Sequence, residues 1–171
     1  MAIEQKEVER LLSEVKLQRD WTFSWKTADE LASIGAAAIP RLIEALGNED
    51  GYVREVAANA LGKIGDRRAV GPLIRAMQYR DDRVYEDDED CEARVKAATA
   101  LGCIADPGSV EPLIETLKYS LEKDITLSWY VIDALGMLGD RRAIPILESI
   151  SDHADIDVRK SVNGALNKLT Q

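Results

Sequence analysis

Reactive side chains are sparse in this chain of 171 residues. The single histidine, His153, sits in the turn Ser151-Asp152-His153-Ala154-Asp155 and reads as a surface turn residue. One imidazole cannot supply paired His-Glu ligands. No His-x-x-His or Cys-x-x-Cys spacing offers a metal its usual nitrogen or sulfur donors. The two cysteines, Cys91 and Cys103, are too few for a disulfide framework and read as free reduced thiols. No Gly-x-x-x-x-Gly-Lys phosphate loop occurs, and no spacing of Ser, His and Asp suggests a nucleophilic triad. The expectation is a non-enzymatic chain with no catalytic residue, no metal and no cofactor.

What is left for binding is charged or aromatic. The run from Arg80 to Glu92 crowds carboxylates, among them Asp87, Asp88, Glu89 and Asp90, and predicts an acidic loop on one edge of the fold. A solvated loop, a docking strip for a basic partner and a weak divalent-cation site all fit it, since clustered carboxylates suit hard cations. The Asp-x-Asp-x-Asp-Gly spacing of an EF-hand is missing. Trp25 and Trp129 fall at a recurring position that elsewhere holds Glu55, Val95 and Lys160. They are either surface anchors for a partner or rings packed beneath neighbouring segments. Tyr79 and Tyr119 share a register, with Arg75, Gln78, Glu115 and Lys118 near them and Glu44 in a flanking unit. That row reads either as a binding face or as an ordinary solvated helix surface.

The elements that must carry these residues are repeats. Asn59-Ala60-Leu61-Gly62-Lys63-Ile64-Gly65-Asp66 recurs as Thr99–Asp106 and Asp133–Asp140. A fixed phrase returning along one chain marks a stacked repeat architecture. Aligned on Leu61, the positions of Leu31, Leu101, Leu135 and Leu166 register five first helices (A). Their apolar residues follow i, i+3, i+4, i+7 spacing. Small residues such as Ala57, Ala60, Ala97, Ala100, Ala134 and Ala165 allow close helix approach. Turns at Gly35-Ala36, Gly65-Asp66, Ala105-Asp106 and Gly139-Asp140 end the first four A helices, with glycine suited to the left-handed conformation and Asp to capping. Second helices (B) follow at 39–46, 70–79, 110–119 and 144–150, each with a proline in or near its first turn. No strand is predicted. Residues 2–19 form an amphipathic capping helix. Repeats span about 21–50, 51–90, 91–124 and 125–156, and 157–171 is a half repeat, all within one solenoid domain, 1–171.

The formal net charge of −9, with no Lys/Arg run, argues against a nucleic-acid partner. No apolar stretch approaches the roughly 20 residues that span a bilayer, and the first residues lack an apolar signal core. A cytoplasmic protein with no membrane partner is the expectation. The oligomeric state is open.

The stretch Val53-Arg54-Glu55-Val56-Ala57-Ala58-Asn59-Ala60-Leu61-Gly62-Lys63-Ile64-Gly65-Asp66-Arg67-Arg68-Ala69-Val70-Gly71-Pro72-Leu73-Ile74 closely resembles HEAT-like repeats of the phycobilisome-lyase type. The resemblance covers about residues 21–171. It implies an all-α fold, a right-handed α-solenoid of antiparallel helix pairs with B helices on the concave side. It also implies a ladder in which the turn residues Asp66, Asp106 and Asp140 meet Arg54, Arg94 and Arg159 of the A helices, broken at Ser24, Ser128 and Ala36. Family members include bilin lyase subunits, but fold alone does not carry activity. The residues therefore point first to a non-catalytic scaffold for a protein or peptide on the B-helix face and the acidic loop. The alternative is a bilin lyase-like subunit handling a tetrapyrrole.

Overall fold

The computed structural model describes residues 2–18, 20–79 and 88–170, and among these there are ten α-helices and no strand. Helix α1 (Ala2–Leu17) precedes the repeats. The A helices are α2 (Trp21–Ile34), α4 (Gly51–Ile64), α6 (Asp88–Ile104), α8 (Ile125–Leu138) and α10 (Ile156–Leu169). The B helices are α3 (Ile39–Ala45), α5 (Val70–Gln78), α7 (Val110–Lys123) and α9 (Ile144–Ser149). They form a right-handed α-solenoid of antiparallel pairs.

Local chemistry sets each boundary. Asp20, Asp50, Asp124 and Asp155 cap α2, α4, α8 and α10 by accepting backbone N–H bonds from the first helical turn. Gly65 and Gly139 end α4 and α8 at φ 73° and 69°, where a side chain would be strained. Each turn Asp then caps a short 3₁₀ segment: Asp66 receives the Arg68 N–H, Asp106 the Gly108 N–H and Asp140 the Arg142 N–H. The B helix begins only after that segment. The carboxylate thus caps the connector, one turn earlier than the sequence pattern suggests.

The core is the recurring leucine with its alanine neighbours. Leu31, Leu61, Leu101 and Leu135 are fully buried, as are Ala57, Ala60, Ala97 and Ala134. Burying each such leucine stabilises by about 1.5–3 kcal/mol relative to exposure. The glycine that follows the leucine decides the spacing. A Cβ on Gly62 would lie 2.8 Å from Ala100 Cα, one on Gly102 would lie 2.9 Å from Ala134 Cα, and one on Gly136 would lie 2.9 Å from Ala165 Cα. From α4 to α10, consecutive A helices therefore come to backbone contact at that glycine, whereas α5 and α7 make little contact. A stack that is tight along one layer and open along the other bends toward the tight layer. The A helices accordingly line the inner face, which corrects the expectation of a concave B side.

Two further expectations change. The acidic stretch is not wholly a loop: Asp88, Glu89, Asp90, Cys91 and Glu92 form the opening turns of α6. Residues 80–87 lie outside the described residues. Helix α7 continues past Tyr119 to Lys123, so a single residue, Asp124, joins it to α8.

Candidate binding surface

The Arg–Asp ladder does not form between the predicted partners. Arg54 Nη1 donates to the carbonyls of Asn48 and Glu49, at 2.6 and 2.9 Å. Arg159 Nη1 does the same to His153 and Ala154, at 2.5 and 2.9 Å. Arg94 reaches the Met77 carbonyl and pairs with Asp124 at 3.1 Å. These arginines secure the connector entering each A helix. The turn Asp lies at the opposite end of that helix, about 18 Å away for the twelve-residue step from Arg54 to Asp66. The turn carboxylates find partners locally: Asp66 with Arg68 at 2.8 Å, Asp140 with Arg142 at 2.7 Å, and Asp106 with Arg67 of the preceding turn at 3.3 Å. At the broken positions, Ser128 donates to Ser120 at 2.8 Å, and the buried Ser24 hydroxyl has no partner.

The B-helix row is dispersed. Glu44 on α3 is exposed and pairs with Arg41 at 2.7 Å, while Arg41 also binds Glu9 of α1. Arg75 is exposed, Gln78 half-buried and Tyr79 49% exposed at the end of α5. Glu115 and Lys118 are exposed on α7, and Tyr119 is half-buried. Because neighbouring B helices barely meet, these side chains do not converge on one groove. Asp87 lies outside the described residues, and Asp88, Glu89 and Asp90 occupy the start of α6.

The two tryptophans part company. Trp129 is half-buried against the core, and its indole N–H is buried without a hydrogen bond of normal geometry. It approaches the Asp155 carboxyl, which is held below its ordinary range by the Val158 backbone N–H and, to a lesser degree, by this indole. Trp25 is 54% exposed on α2, with the Lys63 ammonium 4.1 Å from its ring centroid. Lys63 also meets Asp29 at 2.5 Å.

Trp25 belongs to a pattern on the inner face that the sequence reading missed. Lys63 of α4 meets Asp29 of α2, and Lys168 of α10 meets Asp133 of α8 at 3.7 Å. Between them Lys96 of α6 donates to Glu92 at 2.7 Å and faces Glu55 of α4. Burial pushes the Glu55 carboxyl up, with Lys96 opposing. Burial works most strongly against the charge on Lys96, but Glu92, Glu55 and Tyr130 together outweigh it and the ammonium is held above its ordinary range. Cys103 is exposed on the same face, and burial raises its thiol, which lowers the thiolate fraction. Reading the aligned columns two residues before and two after each leucine would have found most of these residues. The signal is weak because the columns mix Asp, Asn, Thr, Lys, Cys and Met. Among the described residues no cluster of His, Cys, Asp or Glu could hold a metal.

The pattern of HEAT repeats matches residues 8–87 and 84–167, nearly the whole chain. The chain belongs to the HEAT-repeat family. Its repeats are of the phycobilisome-lyase type. It is 38% identical over 140 residues, 78% of its length, to phycocyanobilin lyase subunit alpha of Microchaete diplosiphon. It superposes on a chain of the CpcE–CpcF complex of phycocyanin lyase from Nostoc sp. PCC7120 with a TM-score of 0.71, at 26% identity over 96% of its length. This HEAT-repeat chain spans about half (48%) of that curated relative and 65% of that solved chain. These relatives overturn the expectation of a non-catalytic scaffold on the B-helix face. Both are parts of a lyase, and the tight A layer turns the inner face away from the B helices. Among the described residues no helix is long and apolar enough to cross a membrane.

Proposed function

We propose that this chain is a bilin lyase-like subunit that handles an open-chain tetrapyrrole. The 38% identity to a phycocyanobilin lyase subunit over 140 residues is the observation that carries the reading. The inner face is chemically suited to it. Such a ligand offers an extended π system, carboxylate side arms and pyrrole N–H donors. Exposed Trp25, Tyr130 and Met137 supply apolar contact, Lys63 and Lys96 supply cations, and Glu55 supplies an acceptor. The working unit includes a protein partner, as the solved relative's structure is that of a complex of CpcE and CpcF. The B-face and acidic-stretch residues then belong to protein contact, not to the chromophore, and a cytoplasmic setting is consistent with this role.

The test is to add phycocyanobilin to the purified chain, alone and with a second HEAT-repeat chain from the same source, each with and without a cysteine-bearing acceptor protein, and to follow visible absorbance and fluorescence. A red-shifted, intensified band and transfer to an acceptor thiol are expected. A spectrum identical to that of free bilin in both mixtures, with no transfer, sinks the reading.

A further inference from the structure

The inner face is a ladder with one rung unlike the rest. The α2/α4 seam is crossed by Asp29–Lys63, the α4/α6 seam by Glu55 facing Lys96, and the α8/α10 seam by Asp133–Lys168. Among the described residues no ion pair crosses the α6/α8 seam on this face. There Tyr130 and Met137 of α8 are 40% and 42% exposed. The Met137 sulfur lies against Gly102, 3.3 Å from where a Cβ would stand. Tyr130 and Met137 are seven residues apart, so they form an apolar strip about 10 Å long on one side of the helix. Exposed Trp25, by contrast, is already covered by Lys63.

Lys96 borders this strip. It is close enough to feel the Tyr130 hydroxyl as well as Glu55 and Glu92. Its bond to Glu92 is an i,i+4 helix pair with the Glu side chain 46% exposed, a weak interaction that an incoming carboxylate can replace. The strip therefore pairs a flat apolar floor with a cation at its edge. That combination complements a planar conjugated ligand carrying a carboxylate arm, and not a uniformly polar one.

Resting on the function proposed above, we infer that the tetrapyrrole binds at this interrupted rung, its conjugated face on Tyr130 and Met137 and one propionate carboxylate on Lys96. Phycocyanobilin is titrated into the chain, with its partner if the spectral shift requires one. Tyr130→Ala and Met137→Glu should each raise Kd about tenfold, and Lys96→Gln about threefold. Tyr130→Phe, which keeps the ring, should bind like the parent. Lys168→Gln on another rung and Tyr79→Ala on the outer face should also leave Kd unchanged. Each variant is checked for parental circular dichroism and Tm. If the parent binds bilin and folded Tyr130→Ala and Met137→Glu bind equally well, the site is wrong and the function stands. Loss at Tyr79→Ala instead would move the site to the B layer. If the parent gives no shift under either condition, function and site fall together.

Discussion

Ala105 occupies a place where the neighbouring repeats use glycine. It ends α6 with φ 54°, the one non-glycine residue with positive φ among those described. A Cβ in that conformation costs roughly 1–2 kcal/mol, partly offset by the greater unfolded-state freedom of glycine. Ala105→Gly should therefore stabilise by about 0.5–1 kcal/mol, measured as a higher urea midpoint at constant m-value. The turn carboxylates carry a pH dependence. The Arg68 side chain and backbone N–H pull Asp66 down from 3.8 to about 2, and Arg142 does the same to Asp140. A depressed carboxylate contributes stability that is complete above its ordinary pKa and vanishes as pH falls through the folded value. Stability from these turns should thus drain away between about pH 4 and pH 2. In an acid titration followed by circular dichroism, the Asp66→Asn/Asp140→Asn double variant should lose less stability across that window than the parent. An equal loss would place the acid sensitivity elsewhere.

Helix packing turns on the glycine after each core leucine. Alanine is the better helix former by about 1 kcal/mol, so propensity alone favours replacing Gly102. The new Cβ would lie 2.9 Å from Ala134 Cα and 3.2 Å from its Cβ, and backbone cannot swing aside as a side-chain tip can. Overpacking of this kind costs about 1–3 kcal/mol. Against backbone the clash lies toward the upper end of that range and wins, so Gly102→Ala should destabilise by up to about 2 kcal/mol in denaturant unfolding. Gly164 of α10 has no atom within 4 Å of its would-be Cβ, so Gly164→Ala should stabilise by about 0.5–1 kcal/mol. Opposite signs at two helical glycines separate close approach from propensity.

Across the whole molecule, each A helix packs on the A helix before it and the one after. Stability in such a stack is close to a sum of unit and neighbour terms. The seams holding Gly62 and Gly136 share no helix, being α4/α6 and α8/α10. The costs of Gly62→Ala and Gly136→Ala should therefore add within about 0.5 kcal/mol in the double variant. A larger departure would mean that one distorted seam shifts the register of the next. The same asymmetry that makes the A layer tight gives the chain its inner face, and with it a surface on which residues from consecutive helices meet.

Repetition made the architecture legible before any coordinate was known. The Ala-Leu-Gly phrase, the proline near each B helix start and the 3.6-residue apolar period are local signals, and each fixes a helix through its own backbone and near neighbours. The side on which the stack closes was not legible. It depends on whether Gly62, Gly102 and Gly136 each meet an alanine of the next helix, a contact between residues far apart in sequence. For the same reason the arginines at Arg54 and Arg159 were assigned the wrong partners, since sequence spacing does not say which end of a helix faces which turn. The rung at Tyr130 and Met137 becomes visible only when Lys63, Lys96 and Lys168 are seen crossing the other seams. Local composition determined the elements; contacts across seams decided which faces they share.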